Sequence, residues 1–311
     1  MSARPRKSKG PGYIVPALER GLLLLQAFSG DKPVQSLGVL AKELDLPRAT
    51  AFRLANTLEH LGFLVRDPDS GEYRIGPAAL KLGWTYLSGL ELPEIAHPFL
   101  TYLRNRTNAS VHMAVRDGRE IVYVSRLPAN AALTSNIRVG SRLPAHASSM
   151  GRAMLQDLEE DELFGLYRGT RELAPFSNET PPTVPQLRDL LVRDAANNGV
   201  IVSRGYYEKG VVSIAAPIRD GRDRVVAAIN ITAASDRLSD EALEGPVRED
   251  VLRTARQISE ALGHDPDSRR TVGIELALPN TALAEPRYNA EDEQGYPKYQ
   301  TRDQLEKADR Q

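Results

Sequence analysis

At 311 residues, with 41% hydrophobic, 26% charged and 6% aromatic side chains, the chain is long enough for two domains that each bury a core. A formal net charge of -1 excludes a global field that draws the molecule onto a polyanion, so any nucleic-acid affinity must come from a local patch. Cysteine is absent, which excludes disulfides, thiol nucleophiles and thiolate metal sites and suits a reducing cytoplasm.

Residues 1–12 carry Arg4, Arg6, Lys7 and Lys9 among Pro and Gly and read as a flexible basic arm. No apolar segment of signal-peptide type follows, and the longest apolar run, "GLLLLQAF", is far below a membrane span. A helix is expected from 13 to about 29, with Leu18, Leu22, Leu25 and Phe28 at helical spacing. In the next helix Leu37, Leu40, Ala41 and Leu44 form one stripe, capped by Ser36. Pro47 opens a third helix that buries Ala51, Leu54, Ala55 and Leu58 and stops at Gly62. "FLVRDPDSGEYRIG" reads as two short strands around a turn.

Residues 13–76 therefore read as a winged helix–turn–helix. The outer face of the third helix holds Arg53, Asn56 and His60, with Thr50 and Thr57 at its edges and Arg48 at its start. A helix fits the major groove of DNA, and Arg and Asn have the forks that match guanine and adenine edges. The hairpin adds Arg66 and Arg74 for phosphates, and Ser36 stands at the entry of the second helix. Up to residue 85 there are twelve Lys/Arg against eight Asp/Glu, about +4 in a chain of net -1. The same residues also suit merely solvated helix faces, but the arm, the wing and the local charge together favour DNA.

Residues 77–90 form a linker helix carrying Trp84, a residue more at home in a core or interface than as a ligand platform. From 91 to 263 the order is helix, strands, helices, strands, helix, which predicts an α+β domain with an antiparallel sheet. Its first helix packs Leu92, Ile95, Ala96, Phe99, Leu100 and Leu103. Strands follow around Asp117-Gly118 and near 132–138, then a short helix after "GSRLPAHASS" and a helix at 183–198. Three strands at 200–204, 211–218 and 224–233 precede a helix at about 239–262. Residues 264–311 are polar and without period, which predicts a disordered tail.

The stretches "LAKELDLPRATAFRLANTLEHLGFL", "YRIGPAALKLG", "RLPAHASSMGRAML" and "GVVSIAAPIRDGRDRVVAAINIT" resemble IclR-family transcriptional regulators. The resemblance spans about residues 13–262. Its wording is most similar to the branch that regulates protocatechuate, hydroxybenzoate and β-ketoadipate catabolism (PcaR/PobR-like). It implies a winged helix–turn–helix joined by the linker helix to a GAF-like effector-binding domain. It also implies a homodimer or dimer of dimers on palindromic promoter DNA, with a small carboxylate effector. With five His, no Cys and no paired-His motif a metal site is poorly supported, and no cofactor is expected. The family's anion-binding groups fall on the backbone N–H of Ser149 and Met150 and the side chains of Ser203, Ser213, Asn230 and Thr232. The apolar wall falls on Leu143 and Val211. Ser203 departs from the carboxylate found there in members that bind small keto acids, which argues against a glyoxylate-type ligand.

The residues alone keep alternatives open. Polar Ser213, Asn230 and Thr232 on apolar strands need partners, which a bound carboxylate, one another or a buried water could supply. Arg126 and Arg142 suit either a carboxylate fork or a surface ion pair. His146 beside Ser148 and Ser149 hints at acyl transfer, but "SSMG" lacks a nucleophile elbow and no orienting acid is identifiable. A DNA-binding architectural protein with a ligand-free core is a third reading.

Overall fold

The computed structural model describes residues 14–30, 32–129, 137–196, 199–205, 207 and 209–265. The basic arm at 1–12, most of the strand expected near 132–138, the side chain of Trp84 and the tail after 265 lie outside the described residues. The chain divides into two compact units between Leu90 and Glu91.

The first unit holds α1 (Pro16–Gln26), β1 (Val34–Gln35), α2 (Leu37–Glu43), α3 (Arg48–His60), β2 (Leu64–Arg66), β3 (Tyr73–Ile75) and α4 (Ala78–Ser88). Leu24, Leu40, Ala55, Leu64 and Tyr73 form its core. Ser36 caps α2, its hydroxyl accepting from the Val39 N–H at 3.4 Å. The apolar positions expected of α2 and α3 are those buried or half-buried. In α1 the expected stripe holds only at its end: Leu25 and Phe28 pack on the core, whereas Leu18 and Leu22 are exposed and Gly21 and Leu24 are buried instead. A run of four leucines has no polar gap to set the phase of the helix, so periodicity could not choose between its faces. The wing also has three strands rather than two, because β1 pairs with β3 opposite β2. Two residues are too short to carry an alternation signal.

Gly62 ends α3 in the left-handed region, at φ +75°, where a side chain would be strained. Gly76 returns from the wing so close to Gly62 that a Cβ there would collide with the Gly62 carbonyl oxygen.

The second unit opens with α5 (Leu92–Thr107), followed by β4 (Ser110–Asp117), β5 (Glu120–Leu127) and β6 (Arg142–Pro144). A single 3-10 turn leads into α6 (Ser149–Leu155), then α7 (Glu160–Leu166) and α8 (Val184–Ala196). The chain finishes with β7 (Ile201–Arg204), β8 (Val211–Arg219), β9 (Val225–Ala234), α9 (Asp240–Glu244) and α10 (Pro246–Ala261). The strands form one antiparallel sheet in the order β6-β5-β4-β9-β8-β7. Helices α5 and α10 pack against it, and α6 packs on β4, β7, β8 and β9 through a second cluster that includes Ala114, Tyr123, Leu143, Met150 and Ala228.

The helix expected at 239–262 is two helices. Gly245, at φ −117° and ψ −111°, leaves the helical region, and Pro246 starts α10. No helix of the described residues is long and apolar enough to cross a membrane.

Candidate functional site

On α3, Arg48, Arg53, Asn56, Thr57 and His60 are exposed and Thr50 is half-buried. The Thr57 hydroxyl donates back to the Arg53 carbonyl at 2.9 Å, which ties it to the helix and leaves Arg53 and Asn56 as the outward polar forks. Arg66 and Arg74 are both exposed but belong to opposite faces of the wing. Arg66 pairs with buried Tyr73, lies 5.9 Å from its ring centroid and donates to the Gly71 carbonyl at 3.4 Å. Arg74 pairs with Val65 and Val34 on the other face. In the wing turn Asp67 accepts from the Ser70 and Asp69 N–H groups, and these bonds hold its carboxyl below the usual range.

In the second unit the register assembles a polar patch on the side of the sheet that α6 covers. Ser203 of β7 stands opposite Ser213 of β8, Ser213 opposite Thr232 of β9, and Thr232 opposite Ser110 of β4. One i,i+2 step along the same strands lies a second row, in which Ala215 faces Asn230, Asn230 faces His112 and His112 faces Arg126. Ser203, Asn230 and His112 are buried, whereas Ser213, Thr232 and Arg126 keep partial access.

The loop before α6 closes over this patch. Ser213 Oγ donates to Ser149 Oγ at 2.9 Å. Ser148 is the N-cap of α6; its hydroxyl accepts from the Gly151 N–H at 3.1 Å and its carbonyl from the Arg152 N–H at 3.0 Å. The Ser149 and Met150 N–H groups sit in the first turn, where a helix supplies no acceptor of its own. Leu143 is buried beside Met150 and Tyr123, and Val211 is half-buried two residues from Ser213.

Other expectations resolve differently. Arg142 is a surface ion-pair residue, bound to Asp117 at 2.6 Å and Glu120 at 2.8 Å. Nε2 of His146 lies 3.1 Å from the Ala174 carbonyl and its ring stands edge-on to Tyr167, so it anchors a loop rather than a serine. Sequence reasoning missed His112, whose partner lies 118 residues away. It also missed Arg152, which is fully buried, 3.6 Å from Asp194, and donates to the Val202 carbonyl at 3.4 Å. A histidine inside the apolar run "SVHMAV" was the available signal, but only strand pairing shows what it faces. No group of residues suited to a metal ion occurs among the described residues.

A winged helix with outward Arg and Asn, in a chain whose other unit is a sheet with a polar, half-covered patch, defines a DNA-binding regulator with an effector-binding domain. Residues 17–68 match the IclR helix-turn-helix domain and residues 84–260 the bacterial transcriptional regulator IclR C-terminal domain. The HTH-type transcriptional repressor AllR of Escherichia coli strain K12 is 34% identical over 263 residues, 84% of this chain and 94% of its own. An IclR family transcriptional regulator from Brucella abortus has a similar crystal structure, with a TM-score of 0.66 and 30% identity over 83% of this chain and 96% of that one. So does an IclR homolog from Microbacterium hydrocarbonoxydans complexed with 4-hydroxybenzoate, with a TM-score of 0.68 and 26% identity over 78% of this chain and 98% of that one. The chain belongs to the IclR family: it is a DNA-binding transcriptional regulator, and its relatives are regulators rather than enzymes.

Proposed function

We propose that this regulator controls a catabolic operon by sensing an aromatic carboxylate such as 4-hydroxybenzoate or protocatechuate, with an aliphatic β-ketoadipate-like acid as the second choice. The observation that carries the reading is the convergence of Ser149, Ser203, Ser213 and Thr232, from α6 and three neighbouring strands, on one half-covered patch. A carboxylate removed from water needs several donors, each charge-assisted bond contributing about 1.5–3 kcal/mol. The hydroxyls of Ser149, Ser213 and Thr232 can turn to supply them, beside the Ser149 and Met150 N–H groups. Ser213 and Ser149 also satisfy one another at 2.9 Å, so this pair is not left unsatisfied within the protein itself. Leu143 and Val211 would cover a ring. The solved relative bound to 4-hydroxybenzoate supports the aromatic choice, as does the wording shared with the PcaR/PobR-like branch.

Effector and operator binding are then linked by a coupling free energy that acts equally in both directions. Calorimetry of the full chain against hydroxybenzoates and dicarboxylates, repeated with operator DNA present, tests this. Micromolar binding of a hydroxybenzoate that also shifts operator affinity is expected. Binding of none of the panel below millimolar rules the effector class out.

A further inference from the structure

His112 stands at the centre of the sheet, on the same face as the hydroxyl row, and is 1% exposed. Its Nδ1 lies 3.1 Å from Asn230 Oδ1, a contact that requires the proton on Nδ1. The distal nitrogen, Nε2, is then a bare lone pair, and it is buried with no partner among the described residues. A buried acceptor without a donor costs free energy that any arriving donor recovers.

The surroundings restrict what can arrive. From β5, Arg126 faces His112 across the pair and Tyr123 presents its ring edge-on, 5.6 Å between centroids. From β9 comes Asn230, already engaged. From α6, Arg152 is directed to Asp194 and the Val202 carbonyl. Burial, and then the positive charge of Arg126, push the imidazole down to about 4, so it is neutral at physiological pH. A neutral imidazole offering a lone pair repels a carboxylate and accepts from a hydroxyl. His112 lies diagonally across from Thr232 on the same face of the sheet, so a ligand held at the hydroxyl row can extend toward it.

We propose that His112 Nε2 accepts a hydrogen bond from a hydroxyl at the far end of the effector and so selects para-hydroxylated aromatic acids over their unsubstituted parents. The inference rests on the aromatic-acid reading and adds to it a specificity-determining residue. Asn230, by holding Nδ1–H, is a positioning residue for His112 rather than the hydroxyl's own partner.

The test is calorimetry of the full chain with benzoate, 4-hydroxybenzoate and 4-methoxybenzoate, the last having no proton to donate. The wild type is expected to bind 4-hydroxybenzoate about tenfold more tightly than either of the others, the worth of one neutral hydrogen bond. His112→Phe keeps an aromatic ring and removes the lone pair; it is expected to bind 4-hydroxybenzoate and benzoate alike. Nitrogen-15 NMR of the wild type gives a readout independent of that variant's folding. The His112 Nε2 resonance, unprotonated in the free protein, should move with 4-hydroxybenzoate and stay with 4-methoxybenzoate. A preference that survives in His112→Phe, or an Nε2 resonance indifferent to the hydroxyl, overturns the assignment and leaves the aromatic-acid reading standing. Failure of all three acids to bind the wild type overturns both.

Discussion

At the level of single residues, Arg53 is the sharpest test of the DNA-binding face, because it is exposed on α3 and its side chain makes no hydrogen bond or ion pair among the described residues. Arg53→Ala should weaken binding to the cognate operator by about 1–3 kcal/mol, the range of a good base contact, in a gel-shift titration. Ser213→Val keeps the volume and removes the hydroxyl that bonds Ser149, so effector affinity should fall while operator affinity stays. His112 predicts a pH dependence. Its folded value near 4 lies below the ordinary 6.5, so the unfolded chain binds the proton first. Stability is therefore full above about pH 6.5 and is lost as pH falls toward 4, by about 3 kcal/mol over that window. Burial lowers His146 as well, with the same sign. Urea titrations at pH 7 and pH 5 should show a smaller pH effect in His112→Phe than in the wild type.

Among the elements, α6 shows how a short helix can be overdetermined. Gly151 lies so close to Ala145 that a Cβ would collide with the Ala145 carbonyl oxygen. Alanine ordinarily improves a helix by about 1 kcal/mol over glycine, but here Gly151→Ala should destabilise the domain and lower its denaturant midpoint, because backbone has to move. Behind α6, Arg152 and Asp194 join it to α8 at 3.6 Å. Burial raises the Asp194 carboxyl in spite of the cation, so desolvation outweighs the pair's attraction. Asp194→Ala should still cost about 3–5 kcal/mol, because it deprives a buried guanidinium of its counter-charge. Elements with a clear polar face, such as α2 and α3, were legible in the sequence, as were the hairpin around Gly118 and the three late strands. The phase of α1, the two-residue β1 and the break at Gly245 were not. Each depends on what packs against the segment or on one backbone angle, and neither leaves a periodic trace. The hydroxyl row of the site was legible through family wording. The His112–Asn230 pair was hidden because it exists only through the β4–β9 register.

For the whole molecule, the positive balance of the first 85 residues against a net charge of -1 predicts salt-steep DNA binding. Arg66→Ala should weaken all DNA sequences alike and flatten the salt slope by about one unit. Exposed Leu18, Leu22, Leu80 and Leu82 belong to the DNA-binding unit, and a single winged helix reads one half-site. Light scattering at micromolar concentration should therefore report at least a dimer; a monomer with full operator affinity would contradict this. The sheet order has a consequence for how the protein is made. Its central pair joins β4, which ends at Asp117, to β9, which starts at Val225. A ribosome adding about 5–20 residues each second needs roughly 5–20 s to travel between them. During that interval the nascent chain presents β4 with an unpaired edge, and His112 waits for an asparagine not yet translated. The DNA-binding unit, encoded first and built from near neighbours, can already be folded. Newly made chain thus passes through a stage in which the DNA-binding unit can be complete while the sheet that carries the polar patch is not.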